Sequence, residues 1–259
     1  MPVSGNRLSV LSDNSLYGLP HLSLLDISQN QLSALPPTIF RKSTNLQKLF
    51  LQNNSLSLLS SEVFSGLENL LLLNISHNDI SSHLLSDTIF SGLQKLVALD
   101  LSHNALTKLE SRVLEQQNNL QILNLQHNNL ANIDHDSFSS LINLHILLLS
   151  HNQLSELPKS SLSSLTSLSS LSLDHNRLTI LPLGLFTGCP LLQDLALNNN
   201  YLDDIPSDIS GLSKLRTLDL GENRIANVVS QQLENLSSLY GLRLAGIVLH
   251  KMIAYNALS

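Results

Sequence analysis

Five histidines recur at nearly even spacing through the middle of the chain: His77, His103, His127, His151 and His175. Side chains spaced in this way line up only if the chain coils with the same period. Imidazoles brought into a column can share a metal ion, or charge together below about pH 6.5 and repel. A metal site also needs carboxylate or thiolate partners at set geometry. The spacing fixes none, so no metal ligand is assigned and the column is read as solvated surface, with coupled charging as the alternative. The single cysteine, Cys189, cannot form a disulfide within the chain. The sequence contains no Cys-x-x-Cys, no glycine-rich phosphate loop and no His-Glu-x-x-His. Asp, His and Ser are plentiful, and incidental triads prove nothing without geometry. We therefore assign no catalytic residue and no cofactor, and expect a protein that is not an enzyme. Modification chemistry is better marked: sequons begin at Asn53, Asn74 and Asn235, and these carry N-glycans if the parent protein is secreted.

The elements that must position these residues follow from one recurring phrase, L-x-x-L-x-L-x-x-N-x-L. Leu22, Leu25, Ile27, Asn30 and Leu32 make one copy, and Leu144, Leu147, Leu149, Asn152 and Leu154 another. The phrase asparagine falls at Asn6, Asn30, Asn54, Asn78, Asn104, Asn128, Asn152, Asn176, Asn200 and Asn223, a spacing that is almost constant. The L-x-L segment has the period-2 pattern of a short strand with one buried face. Successive strands then lie side by side in a parallel sheet. From Asn30 to Asn223 the asparagines sit where the strand turns into the core, and their amides can pair backbone groups otherwise buried and unsatisfied. An apolar residue recurs ten positions after the asparagine, at Leu16, Phe40, Phe64, Leu114, Phe138, Leu162, Phe186 and Leu233. These are expected to stack as an inner spine. Cys189 occupies a leucine slot and is expected to be a small buried hydrophobe. Two extra residues near Ser82–Ser86 are expected to bulge from the convex side or an edge.

This pattern defines the fold class as an α/β repeat: a leucine-rich repeat solenoid. We expect a curved horseshoe with a parallel sheet on its concave face, about ten 24-residue repeats, and no cap at either end. The solenoid is placed at residues 1–249 and a non-repeat tail at 250–259, because Ile247 stands where the next asparagine belongs. The chain is expected to be an internal piece of a longer protein, and a frameshift or missed splice would explain its tail. It shows no signal peptide and no apolar stretch long enough to span a bilayer.

Composition narrows the partners. Of 259 residues, 42% are hydrophobic but only 4% aromatic, with no Trp, so leucine supplies the core. The net charge of −6 comes without a basic patch. A nucleic-acid ligand is therefore not expected. On the concave face, the third phrase position reads Leu24, Lys48, Leu72, Ala98, Ile122, Ile146, Ser170, Asp194 and Thr217. Leu72, Ala98, Ile122 and Ile146 form an apolar stripe bordered by Leu71, Val97 and Leu148. This is the candidate protein-binding patch. A glycan at Asn74 would sit beside it.

Several phrases are more specific than the generic repeat. Leu51-Gln52-Asn53-Asn54-Ser55-Leu56, the run Leu215–Ile225, and Leu239-Tyr240-Gly241-Leu242-Arg243-Leu244 resemble the ectodomain of insect Toll-family receptors, the branch with 18-wheeler and Tollo above all. The longer repeat around Asp87–Phe90 and the Gly188-Cys189 repeat are similar to the same branch. The resemblance covers residues 4 to about 244. It implies the protein-binding region of a Toll-like cell-surface receptor, on the extracellular side of the plasma membrane. Its partners would be a cytokine-like protein ligand or another receptor, with receptor dimers possible, in innate immune or developmental signalling. Two other readings stay open: an extracellular adhesion or matrix repeat protein, and an intracellular repeat scaffold.

Overall fold

In the computed structural model, which describes residues 3–247 and the strand Lys251–Ile253, the phrase becomes a ten-stranded parallel sheet. Each strand is short and pairs with the strand of the next repeat, from Leu24–Asp26 at one end to Gly241–Arg243 at the other. The register never slips: Leu25 faces Leu49, Leu49 faces Leu73, and Leu73 faces Leu99 across the two extra residues of that repeat. It cannot slip cheaply, because a shift by one position would turn the buried leucine outward. The middle residue of each strand is buried, except in the last strand, where Leu242 is 36% exposed.

The return limbs are turns and short 3-10 segments, at Ser82–Leu84, Leu185–Gly188, Ser207–Gly211 and Ser230–Gln232. No α-helix occurs among the described residues, so the helical part of the α/β pattern is reduced to these turns. Each limb carries the expected spine. Phe40, Phe64, Phe90, Leu114, Phe138, Leu162 and Phe186 are buried, and the rings of Phe40, Phe64 and Phe90 stack at 6.4 and 6.2 Å. Phe90 joins the spine although the insertion delays it. The extra residues are taken up at the edge, where Ser82 accepts the N–H groups of Thr107 and Lys108 and donates to the Lys108 carbonyl. Cys189 is fully buried, and burial pushes its thiol up to about 12, so it acts as a packing group. Its neighbour Gly188 leaves room for the Ser163 backbone, which lies 2.5 Å from where a Cβ would stand.

The asparagine ladder runs from Asn30 to Asn223. Asn128 shows its logic. Its Oδ1 accepts the Leu106 N–H of the preceding repeat at 3.0 Å. Its Nδ2 donates to the carbonyl of Leu101 in that repeat and to Leu125 in its own, at 3.0 and 3.1 Å. A second, exposed ladder was not read from the sequence: Asn45, Asn69, Asn119 and Asn143 each donate to a carbonyl of the preceding repeat, at 2.7–2.8 Å. Its signal is a constant offset, since Asn45 follows Asn30 at the same distance as Asn69 follows Asn54 and Asn143 follows Asn128. Within the segment set apart as a tail, Lys251–Ile253 pairs in parallel with Asn227–Val229, an offset equal to the repeat.

Replacing Asn128 with alanine strands several buried backbone groups at once. Urea denaturation is expected to show a loss of about 1–3 kcal/mol, from the cost of leaving such groups unpaired, whereas Asn119→Ala on the exposed ladder stays within about 0.5 kcal/mol of the parent.

Candidate functional site: the concave face and its histidine edge

Each concave strand after the first is entered through a doubled residue. The N–H groups of Leu71 and Leu72 both donate to the Gln47 carbonyl, those of Val97 and Ala98 to Leu71, and those of Gln121 and Ile122 to Val97. Two consecutive donors on one acceptor is the pattern of a bulge, and it lets two successive side chains look outward. That is why Leu71 and Val97 join the stripe although they precede the strand. The stripe itself is in register: Leu72 pairs with Ala98, Ala98 with Ile122, and Ile122 with Ile146. Ile122 and Leu71 are 38% and 37% exposed, and the other members of the patch are half-buried. Leu148 lies in the neighbouring row, between Asn124 and Ser172.

The three sequon asparagines stand in different settings. Asn74 is in the concave row beside Leu72, half-buried, and its Oδ1 accepts the Ser76 N–H and hydroxyl at 3.0 and 2.8 Å. Asn53 is exposed at the end of the histidine column, and Asn235 is exposed on a return limb.

Towards the last repeats the concave face changes character. Ser170, Ser172, Ala196 and Gly241 are small, and they leave a depression of about 460 Å³ edged by Asp194, Thr217, Asp219, Tyr240 and Arg243. Arg243 lies 3.6 Å from Asp219. The column of third positions already turned polar here, but the depth depends on side-chain volumes in several repeats together and was not read from the sequence.

The histidine column is a product of backbone geometry. Where the strand turns inward, the residue before each ladder asparagine adopts a left-handed conformation, with φ between 49° and 56° from Gln29 to Glu222, and Gly246, before Ile247, has a φ of 72°. Asn and His tolerate that region better than most residues, which accounts for the recurring His-Asn pair. Neighbouring imidazoles stack with centroids 3.9–4.1 Å apart and planes within 13° of parallel. Partial burial, then the neighbouring rings His77 and His127, hold the His103 imidazole below the ordinary histidine value of 6.5, against the pull of Asp100. Burial, His175 and His127 do the same to His151, opposed by Asp174. Sequence spacing fixes no carboxylate partner for this column. The fold supplies one: Asp174 lies with His151 and His175, their ligand atoms within 4.8 Å of one another.

The repeat family described as leucine rich repeat matches residues 2–56, 20–80, 81–130, 118–178, 166–225 and 190–246. The chain therefore belongs to the leucine-rich repeat family. Among solved structures it is similar to TLR13 in the TLR13–ssRNA13 complex, with 31% identity and a TM-score of 0.83 over 92% of this chain and 34% of that one. It shares the fold of the Drosophila Toll–Spatzle complex, with 24% identity and a TM-score of 0.84 over 98% and 38%. A third likeness, at 25% identity and a TM-score of 0.82, is to the octameric complex of Latrophilin 3, Unc5D and FLRT2, over 93% and 72%. The chain spans about a third of the TLR13 and Toll chains it matches. No match was found among curated protein sequences. Repeats and likenesses together support a leucine-rich repeat fragment of the Toll-like receptor kind. No helix among the described residues is long and apolar enough to cross a membrane.

A histidine that binds its proton less tightly when folded than when unfolded favours the folded state only while neutral. Its contribution is present above the unfolded value of 6.5 and is lost as pH falls through the lower folded value. Thermal melts are thus expected to show the Tm falling between neutral pH and about pH 5. His103→Gln interrupts the column and is expected to flatten that slope. Gln29 already occupies the equivalent left-handed position in its own repeat, so the backbone at this place accepts glutamine.

Proposed function

We propose that this chain is a protein-binding region of a Toll-like cell-surface receptor, of the insect branch with 18-wheeler and Tollo, and that it recognises a cytokine-like ligand or another receptor through its concave face. The reading places the chain outside the cell as a glycoprotein, taking part in innate immune or developmental signalling. The observation that carries it is the in-register stripe of exposed and half-buried apolar side chains from Leu72 to Ile146. Such a row is unfavourable in water, and a partner that covers it gains the burial of contiguous apolar surface. Similar solenoids occur in structures solved with protein partners, Toll with Spatzle and FLRT2 with Latrophilin 3 and Unc5D, which supports a binding role over a catalytic one.

The chain's negative balance, 14 basic against 20 acidic residues, argues against nucleic acid, since phosphate contacts dominate such affinity. TLR13 was nevertheless solved with single-stranded RNA, so RNA belongs in the test. The chain is displayed on cells and offered a panel of secreted cytokine-like ligands, receptor ectodomains and single-stranded RNA. The expected outcome is a protein binder whose affinity falls about 30-fold or more, the loss typical of a central anchor, in Ile122→Asp/Ile146→Asp. Ile180→Asp, at an exposed site off the stripe, is expected to leave it unchanged. Binding of RNA alone, or equal loss from the Ile180 variant, would count against the proposal.

Glycans are part of this reading. In protein made through a secretory host, Asn53, Asn74 and Asn235 are expected to carry them, and enzymatic deglycosylation should lower the mass accordingly. Asn74→Gln is expected to strengthen ligand binding by uncovering Leu72, while Asn235→Gln removes a glycan without changing affinity.

A further inference from the structure

We infer that His151, Asp174 and His175 form a binding site for a divalent transition-metal ion of the Zn²⁺ class at the edge of the concave sheet. The trio comes together because two repeats contribute at once. The His151 N–H donates to the Asp174 carbonyl at 3.1 Å, and the His175 N–H donates to the Asn198 carbonyl at 3.0 Å. Beneath them, Asn152 and Asn176 are buried in the ladder. The backbone that presents both rings is therefore fixed before any ion arrives. The ligand atoms of the three side chains already lie within 4.8 Å of one another. On one tetrahedral ion, with bonds of about 2.0–2.2 Å, they would stand about 3.3–3.6 Å apart.

The remaining adjustment is in side-chain torsions. The two rings stack at 4.1 Å with planes 10° apart, so their in-plane lone pairs now run side by side. On one tetrahedral ion those lone pairs must turn toward each other by roughly 55° each, which takes rotation of both side-chain torsions. Both histidines are exposed, which leaves them free to turn. The Ser150 hydroxyl donates to one Asp174 oxygen, Oδ1, which orients the carboxylate and leaves Oδ2 for the ion. Such an outer partner is what metal-binding carboxylates generally need.

Position along the column singles out this pair. In the five histidine repeats, the residue two before the ladder asparagine is Ser76, Ser102, Gln126, Ser150 and then Asp174. Only the last puts a carboxylate under two neighbouring histidines, and this is the one such trio found among the described residues. Two imidazoles and one carboxylate suit Zn²⁺, Ni²⁺ or Cu²⁺ and do not suit the all-oxygen preference of Ca²⁺ or Mg²⁺. Arg177 lines the same shallow surface, and its charge further disfavours ions held by electrostatics alone.

Calorimetric titration of the full chain with Zn²⁺ is expected to give one saturable site. Asp174→Asn, which can still accept the Ser150 hydroxyl, is expected to weaken it at least ~10-fold. H151Q/H175Q should abolish it, and H77Q/H103Q, in the half of the column where no carboxylate meets two histidines, should leave it unchanged. Histidine NMR resonances provide a second reading that does not depend on variants: those of His151 and His175 should respond to sub-stoichiometric Zn²⁺ before the rest. The inference is overturned by the absence of saturable binding, by Mg²⁺ binding as well as Zn²⁺, by Asp174→Asn matching the parent, or by His77 and His103 responding first.

Discussion

At the end of every concave strand the chain has to enter a hydrocarbon core while still carrying backbone N–H and C=O groups that nothing in the strand satisfies. The ladder asparagine resolves this by standing in for backbone: one amide oxygen accepts a donor of the preceding repeat, and one amide nitrogen serves carbonyls of two repeats. Most else in the molecule is downstream of that arrangement. It holds adjacent repeats at a constant separation, keeps the leucines of successive strands opposite one another, and permits a core built almost wholly from leucine. Interaction is only between neighbours, so insertion or loss of a residue is absorbed locally, as at Ser82–Leu84 and Ser207–Gly211, without disturbing the sheet.

The same constraint makes the surface chemistry. Bending into the ladder forces a left-handed residue just before each asparagine, and that position is the one occupied by the five histidines. Their stacking at 3.9–4.1 Å is set by the repeat separation beneath them. The histidine edge is thus coupled to the fold's own period: neutral rings stack at the separation the repeats set, and rings that charge at that separation repel.

Across the sheet, that period also converts sequence composition into surface patches. A column of one position from successive repeats becomes a contiguous strip, so the apolar residues Leu72, Ala98, Ile122 and Ile146, one from each of four repeats, form a continuous surface. Small side chains further along, Ser170, Ser172 and Ala196, open a depression instead. A solenoid of this kind gains binding diversity through substitutions that never touch its core, and a broad sheet lined in this way suits another macromolecule better than a small substrate.

The repeat spacing alone determined the solenoid, the parallel register, the ladder from Asn30 to Asn223, and the spine from Phe40 to Phe186 apart from Phe90. These features are local, since each is decided by a residue's offset within its own repeat. The delayed Phe90 was not legible in this way, because the insertion shifts its offset and only packing against Phe64 restores its place. Tertiary structure decided whatever depends on two repeats at once: the shared carbonyls that turn Leu71 and Val97 outward, the depth of the depression near Gly241, the contact distance of the imidazoles, and the meeting of Asp174 with His151 and His175. Asp174 is adjacent to His175 in sequence but almost a full repeat away from His151, and only the stacking of repeats, fixed by backbone hydrogen bonds between them, brings all three side chains to one place.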